Sequence, residues 1–467
     1  MTEENPDGGI LLSGFLFGGD LLNLPLMKRL KELGKSEIVR SVATLSFGSV
    51  VSQLIPVLMS LVLARLYTPR NYGDFGIFIN CAGILAVFVC GRYDYAIVLP
   101  KRNVDALNLL ALSAMAAVGV SALTWAVFAV GTGLQIEALA NFPSKHTLPL
   151  ILLFMAGFQI LGNYTLRCEK YKTLTAANIL KSVVQAVTRL SLGLMRVETG
   201  LIAGAVAGWA GGWAAYAPQI RQLASLRRCF SWKRIRELAL RYKNFPRYMM
   251  TGNLLSALAN NLPVLILAAF YAKESIGYFS MALAVLYLPV SYIGVAIGQV
   301  FYKKAAVWQN EDTKRLARRL FLFCALLAWL MFAVLLFGGQ PMFRFLLGEE
   351  WGTVGLYAIY LCPWLMLVFC ILPLGWIFDV RDRQKTEMCL KLASFLVRIA
   401  VVACGGLLHL SFASVLILYS ISGVVLCLLE GYFIYKTLGM TASLRQKTLL
   451  FAALGLMMGI WLLRIGL

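Results

Sequence analysis

Charged residues are scarce in this sequence. Asp, Glu, Lys and Arg make up 14% of its 467 residues, whereas 60% are hydrophobic and the mean hydropathy is +0.76. A soluble domain has roughly 25% charged residues and less than about half apolar ones. A chain with so few charges cannot cover its own surface in water, so the solvent for most of it is expected to be lipid.

Histidine is nearly absent, and the ten cysteines include no CxxC pair. His146 and His409 alone cannot supply the ligand set of a zinc or haem site, so we expect no metal and no other cofactor. The sequence also has no Walker-type GxxxxGK[ST] motif, which weighs against ATP hydrolysis by this chain.

Long polar segments are missing as well. The longest predicted connection between apolar segments is Arg221–Arg247. This leaves no room for a soluble catalytic domain, which weighs against glycosyltransferases, receptors, and ligases or polymerases that use a large external loop. The remaining functions are those carried out within the bilayer.

What the sequence does contain is a series of apolar segments of about 17–25 residues, each long enough to span a membrane. They predict an all-α polytopic membrane protein with 12 transmembrane helices, or 13 to 14 if the last segment, 447–466, also spans. The first eight residues are acidic, unlike a cleavable signal peptide. Residues 1–40 are predicted to be a cytoplasmic segment, of which 1–26 is either an extension without order or precedes the true start at Met27.

The distribution of Lys and Arg predicts the orientation. With the N-terminus in the cytoplasm, basic residues on the inner side greatly outnumber those outside. The net charge of +21 is then explained by topology, and it does not indicate nucleic-acid binding. We therefore predict a multi-pass inner-membrane protein with a cytoplasmic N-terminus.

The sequence shows an internal repeat. Ile55–Phe78 resembles Leu262–Met281, since each starts with an apolar residue before Pro-Val-Leu and opens the next span with adjacent Tyr and Gly. Leu180–Leu192 resembles Leu390–Val401, since each begins Leu-Lys and places an Arg two turns later. Six spans per repeat give both halves the same orientation, related by an axis along the membrane normal. This predicts two pseudo-symmetric six-helix bundles around a central cavity.

The repeat also predicts the domain boundaries. They are 41–220 for the N-terminal six-helix lobe, 221–247 for a basic cytoplasmic inter-lobe loop, 248–436 for the C-terminal six-helix lobe, and 437–467 for a C-terminal tail that contains the extra apolar segment.

The repeated segments hold four basic residues within spans: Lys181, Arg189, Lys391 and Arg398. A charge in the hydrocarbon core costs at least ~2.5–3.5 kcal/mol, so it normally faces a cavity or a protein-lined interior. Four cations without matching buried acids in the same helices favour an anionic cargo, such as a lipid diphosphate or an acidic sugar. For the two lysines, which lie near helix ends, snorkelling to the headgroups is the alternative.

Four further residues are accessory candidates. Asn178 and Gln185 form a polar stripe with Lys181 and Arg189 at helical spacing, and Ser394 lies on the face shared by Lys391 and Arg398. Glu430 is a candidate carrier of a coupling proton, or else the partner of a nearby base.

Five runs of residues stand out along the chain. They are ARLYTPRNYGDFGIF (Ala64–Phe78), GRYDYAIVLPK (Gly91–Lys101), RYKNFPRYMMTGNLLSALANNLPVLILAAFY (Arg241–Tyr271), LPVSYIGVAIGQVFYKKAA (Leu288–Ala306) and LLGEEWGTVGLYAIYLCPWLM (Leu346–Met366). In this order they resemble the Wzx-like polysaccharide and O-antigen flippases of the MOP exporter superfamily.

The resemblance implies a transporter, not an enzyme. It implies translocation of undecaprenyl-diphosphate-linked oligosaccharide across the inner membrane by alternating access, for O-antigen, capsule or exopolysaccharide synthesis. It further implies contact with membrane lipids, a proton or sodium gradient as the driver, and the polysaccharide polymerase and chain-length machinery as candidate partners. An ion-coupled drug antiporter of the same superfamily and a lipid II flippase are the alternatives.

Overall fold

The computed structural model describes residues 55–56, 58–225, 230–308 and 310–440. The predictions for the N-terminal segment 1–40, for the start of the first span and for the apolar segment 447–466 lie outside the described residues.

The described part of the chain is helical throughout, and no strand occurs in it. The longer helices are α1 (Pro69–Val89), α2 (Asn103–Gly133), α3 (Leu148–Arg167), α4 (Tyr171–Leu194), α5 (Gly200–Gly212), α6 (Ala217–Ser225), α7 (Trp232–Arg241), α8 (Met250–Phe270), α9 (Lys273–Pro289), α10 (Val295–Ala305), α11 (Asn310–Leu347), α12 (Gly352–Gly375), α13 (Gln384–Leu407) and α14 (Phe412–Thr437). Single turns lie at Tyr93–Ala96, Glu137–Ala140, Lys145–Thr147, Trp213–Tyr216, Phe245–Met249, Val290–Gly294, Glu349–Trp351 and Ile377–Val380.

Nine helical segments within these ranges are long and apolar enough to cross a membrane. The protein is therefore an all-α polytopic membrane protein, as predicted. Two predicted spans do not meet that criterion: α4 carries the polar stripe, and α5 has 13 residues before it continues through a 3₁₀ turn into α6. The number 12 remains a prediction.

Local sequence determines where α1 begins. The Thr68 hydroxyl accepts a hydrogen bond from the Asn71 backbone N–H at 3.4 Å, and the Asn71 amide oxygen accepts one from the Thr68 N–H at 3.0 Å. Pro69 occupies the first turn, where its missing N–H costs nothing. This reciprocal cap fixes the first turn of the helix.

The C-terminal half is built around α12. Nearly every residue of this helix from Gly352 to Leu374 is buried, and α9, α10, α11 and α14 pack against it. A helix that is apolar on all sides is expected at such a central position.

The segment predicted as a basic cytoplasmic inter-lobe loop, 221–247, contains helical structure. It includes the end of α6 and all of α7.

The two halves meet where α1 crosses α9. A Cβ atom on Gly277 would lie 1.8 Å from the carbonyl oxygen of Pro69, and one on Gly73 would lie 1.9 Å from that of Lys273. The contact is reciprocal. Gly277 faces the residue four positions before Gly73, and Gly73 faces the residue four positions before Gly277. These are the Tyr-Gly and Gly-Tyr pairs of the sequence repeat, so the repeat reflects a pseudo-two-fold contact between the backbones.

Polar contacts join the halves at the same end of the bundle. The Lys273 ammonium lies 2.7 Å from the Asp74 carboxylate, and Arg70 lies 3.9 Å from Glu274. Each pair joins one residue of α1 to one of α9.

The segment just before α1 also contacts the C-terminal half. The Trp351 indole donates a hydrogen bond of 2.6 Å to the carbonyl of Ala64, and Arg65 donates one of 2.9 Å to the carbonyl of Phe345. The Tyr72 ring packs edge-on against Trp351 with 5.0 Å between centroids. The halves are thus closed against each other at the end that we predict to face outward.

The crossing predicts that Gly277→Ala destabilises the protein. The added methyl group must push the two backbones apart, and overpacking of this kind costs about 1–3 kcal/mol. We expect a lower thermal unfolding temperature of the detergent-solubilised protein. Gly119→Ala is the matched control, because a Cβ on Gly119 meets nothing within 4 Å. Equal unfolding temperatures for the two variants would contradict the crossing.

Candidate substrate-binding site

The polar side chains of α4 pack against a face of α5 that presents glycines instead of larger side chains. A Cβ on Gly204 would lie 2.3 Å from Cγ of Arg189, and one on Gly208 would lie 2.7 Å from Cβ of Gln185. Small residues four apart let two membrane helices approach closely. The glycines of α5 therefore make the space in which the long polar side chains of α4 lie.

Arg189 lies inside the N-terminal half, with 9% of the residue exposed. Its Nε donates a hydrogen bond of 3.2 Å to the carbonyl of Leu201, and its guanidinium carbon lies 4.6 Å from the centroid of the Phe75 ring. With the Gln185 amide turned so that its oxygen accepts, that oxygen lies 2.9 and 3.1 Å from the two terminal nitrogens. Each guanidinium nitrogen thus has a partner within this half.

Lys181 lies two turns before Arg189 and is half-buried. Its ammonium is 4.0 Å from the centroid of a Trp209 ring and 5.3 Å from that of Phe158. Such cation–π contacts stabilise an ammonium by about 0.5–2 kcal/mol, depending on desolvation. Asn178, one turn earlier, donates a hydrogen bond of 3.0 Å to the backbone carbonyl of Leu174.

Arg398 of α13 lies against two aromatic residues of the C-terminal half. Its guanidinium carbon is 4.1 Å from the centroid of a Trp364 ring and 5.3 Å from that of Tyr419, whose hydroxyl accepts a long hydrogen bond of 3.4 Å. The Tyr287 hydroxyl of α9 is near enough to interact with it electrostatically. The buried Nε of Arg398 has no acceptor among the residues described.

Lys391 lies near the start of α13, with 68% of its side chain exposed, and it pairs with Glu387 one turn earlier. Glu387 is an acid in the same helix but is not buried, so Lys391 has an ion-pair partner that the prediction about buried acids does not cover. Glu430 of α14 is half-buried, with its carboxylate 3.8 Å from where a Cβ on Gly375 would lie, and it interacts electrostatically with Lys391 and Arg398. Ser394 is half-buried on the same helix.

The candidate residues form two groups, one in each half. Lys181, Gln185 and Arg189 share the contact between α4 and α5, whereas Arg398 lies between α13, α12 and α14. In both halves a cation from the fifth predicted span rests on aromatic rings from the fourth and sixth. The two cations are not equivalent positions of the repeat, however, because Lys181 corresponds to Lys391 and Arg398 corresponds to Arg189.

Sequence reasoning found the cations but missed the rings beneath them. Trp209 and Tyr419 occupy corresponding places in the two repeats, on α5 and α14. An aromatic residue retained at the same place in both halves is the signal that could have found them. The role of each predicted residue in binding a cargo remains a prediction.

Comparison with known proteins identifies one matching family model. A family described as "Polysaccharide biosynthesis protein" matches residues 62–355, which is more than half of the chain. No curated protein matches the chain.

Solved structures of transporters share the fold. The lipid II flippase MurJ in an inward closed conformation is similar with a TM-score of 0.60 at 14% identity, covering 90% of this chain and 99% of that one. A MATE transporter in complex with MaD3S has a TM-score of 0.52 at 12% identity, covering 86% and 95%. A MOP superfamily transporter from Pyrococcus furiosus has a TM-score of 0.51 at 12% identity, covering 86% and 96%. At these identities the likeness shows the fold alone.

The surroundings of Arg189 predict that Arg189→Ala lowers stability. The change removes the bond to the Leu201 carbonyl and leaves the Gln185 amide oxygen without its donor in an apolar interior, at a cost of about 1–3 kcal/mol for the unpaired group. We expect a lower unfolding temperature in detergent and less folded protein in the membrane. Lys391→Ala is the control, because an exposed ion pair contributes about 0–1 kcal/mol. A comparable loss in both variants would refute this view of Arg189.

Proposed function

We propose that this chain, which belongs to the polysaccharide biosynthesis protein family, is a flippase for lipid-linked oligosaccharides. The cargo in this proposal is an undecaprenyl-diphosphate-linked repeat unit. The protein moves it across the bacterial inner membrane, with the N-terminus of the chain in the cytoplasm. The product would feed O-antigen, capsule or exopolysaccharide assembly.

The arrangement around Arg398 is the observation that most supports this proposal. Its guanidinium carbon lies over a Trp364 ring, 4.1 Å from the centroid, and its Nε–H has no acceptor in the described part of the chain. A guanidinium with a free donor binds phosphate oxygens by charge-assisted hydrogen bonds. Trp364 and Tyr419 orient the cation in advance, so that little side-chain entropy is lost on binding.

A flippase has to keep the polar part of its cargo out of hydrocarbon. In this mechanism the diphosphate contacts the cations, the glycan contacts polar and aromatic side chains, and the polyprenyl tail stays in lipid between the halves. Separation of the halves where α1 crosses α9, together with closure at the opposite end, would expose the cargo outward. No covalent bond changes, so the proposal requires no catalytic group.

The proposal predicts that Arg398→Gln abolishes transport while Arg398→Lys retains part of it. Gln removes the charge, whereas Lys keeps it and loses the planar, directional donors. In a strain that lacks the gene, we would measure surface polysaccharide and lipid-linked repeat units during complementation by each variant. We expect wild type and the exposed-residue control Arg196→Gln to restore surface glycan. Arg398→Gln should leave repeat units on the inner leaflet, at wild-type protein levels.

Three results would count against this assignment. Normal surface glycan in the deletion strain, with no second transporter, would exclude the polysaccharide cargo. Accumulated lipid II with normal surface glycan would favour a lipid II flippase, the alternative that the likeness to MurJ brings forward. Full activity of Arg398→Gln would keep the function and remove Arg398 from the site.

The driving ion is part of the same proposal. Glu430 is a carboxylate within a membrane-spanning helix, facing the gap left by Gly375 and within electrostatic reach of Lys391 and Arg398. A phosphate group that binds these cations would compete with Glu430, which favours neutralisation of the carboxylate by a proton or a sodium ion. This links cargo binding to ion binding.

The link predicts that Glu430→Gln uncouples transport from the ion gradient. In proteoliposomes, wild-type transport of the lipid-linked substrate should accelerate when a proton or sodium gradient is imposed. Glu430→Gln should run at one rate with or without the gradient. Glu349→Gln is the control, since the Glu349 side chain is 90% exposed. A gradient response that survives Glu430→Gln would exclude Glu430 as the carrier.

A further inference from the structure

Helix α7 is attached firmly to the N-terminal half. Arg234 binds the Asp105 carboxylate through two hydrogen bonds of 2.8 and 3.2 Å, and a third bond of 2.8 Å joins it to Glu237. The Asn108 amide oxygen accepts a hydrogen bond of 2.9 Å from the Ser231 backbone N–H, just before the helix. A bidentate Arg–carboxylate pair is both strong and directional.

Apolar contacts hold the same face of α7. Ile235 and Leu238 are buried, and Leu238 belongs to the cluster formed by α1, α2 and α3. The Tyr93 hydroxyl donates a hydrogen bond of 3.2 Å to the carbonyl of Ala239. The orientation of α7 on this half is therefore fixed, and so is the direction of its opposite face.

That opposite face combines large apolar side chains with cations. Trp232, Arg236 and Leu240 follow one another at intervals of four residues, with Lys233 beside them. Trp232 is 72% exposed and Leu240 is 63% exposed, while both cations are exposed. Glu237, the acidic residue of α7, is already bound by Arg234. The face is thus apolar and cationic, with its acid neutralised.

The position of α7 along the chain places the helix close to the bilayer. Three residues separate the end of α7 at Arg241 from the turn Phe245–Met249, which leads directly into the membrane-spanning helix α8. The exposed cations Lys243 and Arg247 lie in this connection. A helix this near a span, with Trp and Leu among cations, has the composition of helices that lie in the membrane interface.

We propose that the exposed face of α7, formed by Trp232, Lys233, Arg236 and Leu240, binds the bilayer surface through anionic phospholipid headgroups. The apolar side chains enter the headgroup region, and the cations contact lipid phosphates. Because α7 is fixed to α2, this contact links the start of α2 to the surface of the bilayer that the half spans. This proposal does not depend on the cargo.

The test uses the purified full-length protein in detergent, titrated with phosphatidylglycerol or with phosphatidylcholine. Retained lipid is counted by native mass spectrometry, and thermal unfolding is followed in parallel. For wild type we expect tighter retention of phosphatidylglycerol, weakened by salt. Lys233→Gln/Arg236→Gln should raise the half-saturating phosphatidylglycerol concentration about tenfold, with unchanged unfolding in the absence of lipid. The control Arg315→Gln/Arg318→Gln removes two equally exposed cations from α11.

The outcomes distinguish specific lipid binding by the exposed face of α7 from nonspecific electrostatic attraction of anionic lipid to the whole protein. A tenfold loss in the α7 variant together with a smaller change in the control supports the proposal. Equal losses in both variants, or equal retention of the two lipids by wild type, would overturn it. Unchanged lipid retention with loss of a co-purifying protein would also overturn it, in favour of a protein partner. Trp232→Ala tests the apolar part: retention of phosphatidylglycerol should fall although no charge is removed.

Discussion

Placing a cation inside a membrane-spanning helix costs at least ~2.5–3.5 kcal/mol, and the packing of this protein is organised around that cost. The charge can be tolerated only where neighbouring groups replace water. Around Arg189 they are the Leu201 carbonyl, the Gln185 amide and the Phe75 ring. The glycines of α5 are required because a side chain there would occupy the space of these groups. The close packing of α4 on α5 and the accommodation of the Arg189 charge thus depend on the same glycines.

The same constraint explains why the cations could be found from sequence. Hydrocarbon makes a charged residue in an apolar segment conspicuous, and helical periodicity places Asn178, Lys181, Gln185 and Arg189 on one face before any coordinates are known. The structure confirms that Lys181, Gln185 and Arg189 lie together against α5. Hydropathy likewise predicts the membrane-spanning, all-helical fold, because a bilayer permits few alternatives to helices.

The partners of these cations could not be found in this way. Trp209 and Trp364 are aromatic residues in apolar helices, where aromatic residues are common, and only the match of Trp209 with Tyr419 in the repeat distinguishes one of them from an aromatic residue of the core. Glu387 was overlooked because it lies outside the apolar part of its helix, although it is one turn from Lys391. The helix within 221–247 was hidden too, since basic composition suggested a loop. Each of these features depends on which groups come into contact when the helices pack, and the sequence alone does not show those contacts.

Closure between the halves combines backbone contact with the ion pairs beside it. Gly73 and Gly277 let α1 and α9 touch, the pair of Lys273 with Asp74 is partly buried, and the pair of Arg70 with Glu274 is largely exposed. Exposed pairs contribute about 0–1 kcal/mol each. A close, weakly bonded crossing suits a contact that must open and close, because it defines the closed arrangement without making it too stable to leave.

The equivalent arginines of the two halves differ in their hydrogen bonding. Arg189 and Arg398 arise from the same place in the repeat, yet all the guanidinium nitrogens of Arg189 have partners within its half, whereas Nε of Arg398 has none in the described structure. A fully bonded cation holds helices together, and binding a ligand would require breaking those bonds. In the proposed mechanism a cation beside Trp364 with an unpaired donor binds an anion without first losing a hydrogen bond within the protein. Under that proposal the available positive charge of this pair lies in the C-terminal half, so that sequence symmetry does not imply functional symmetry.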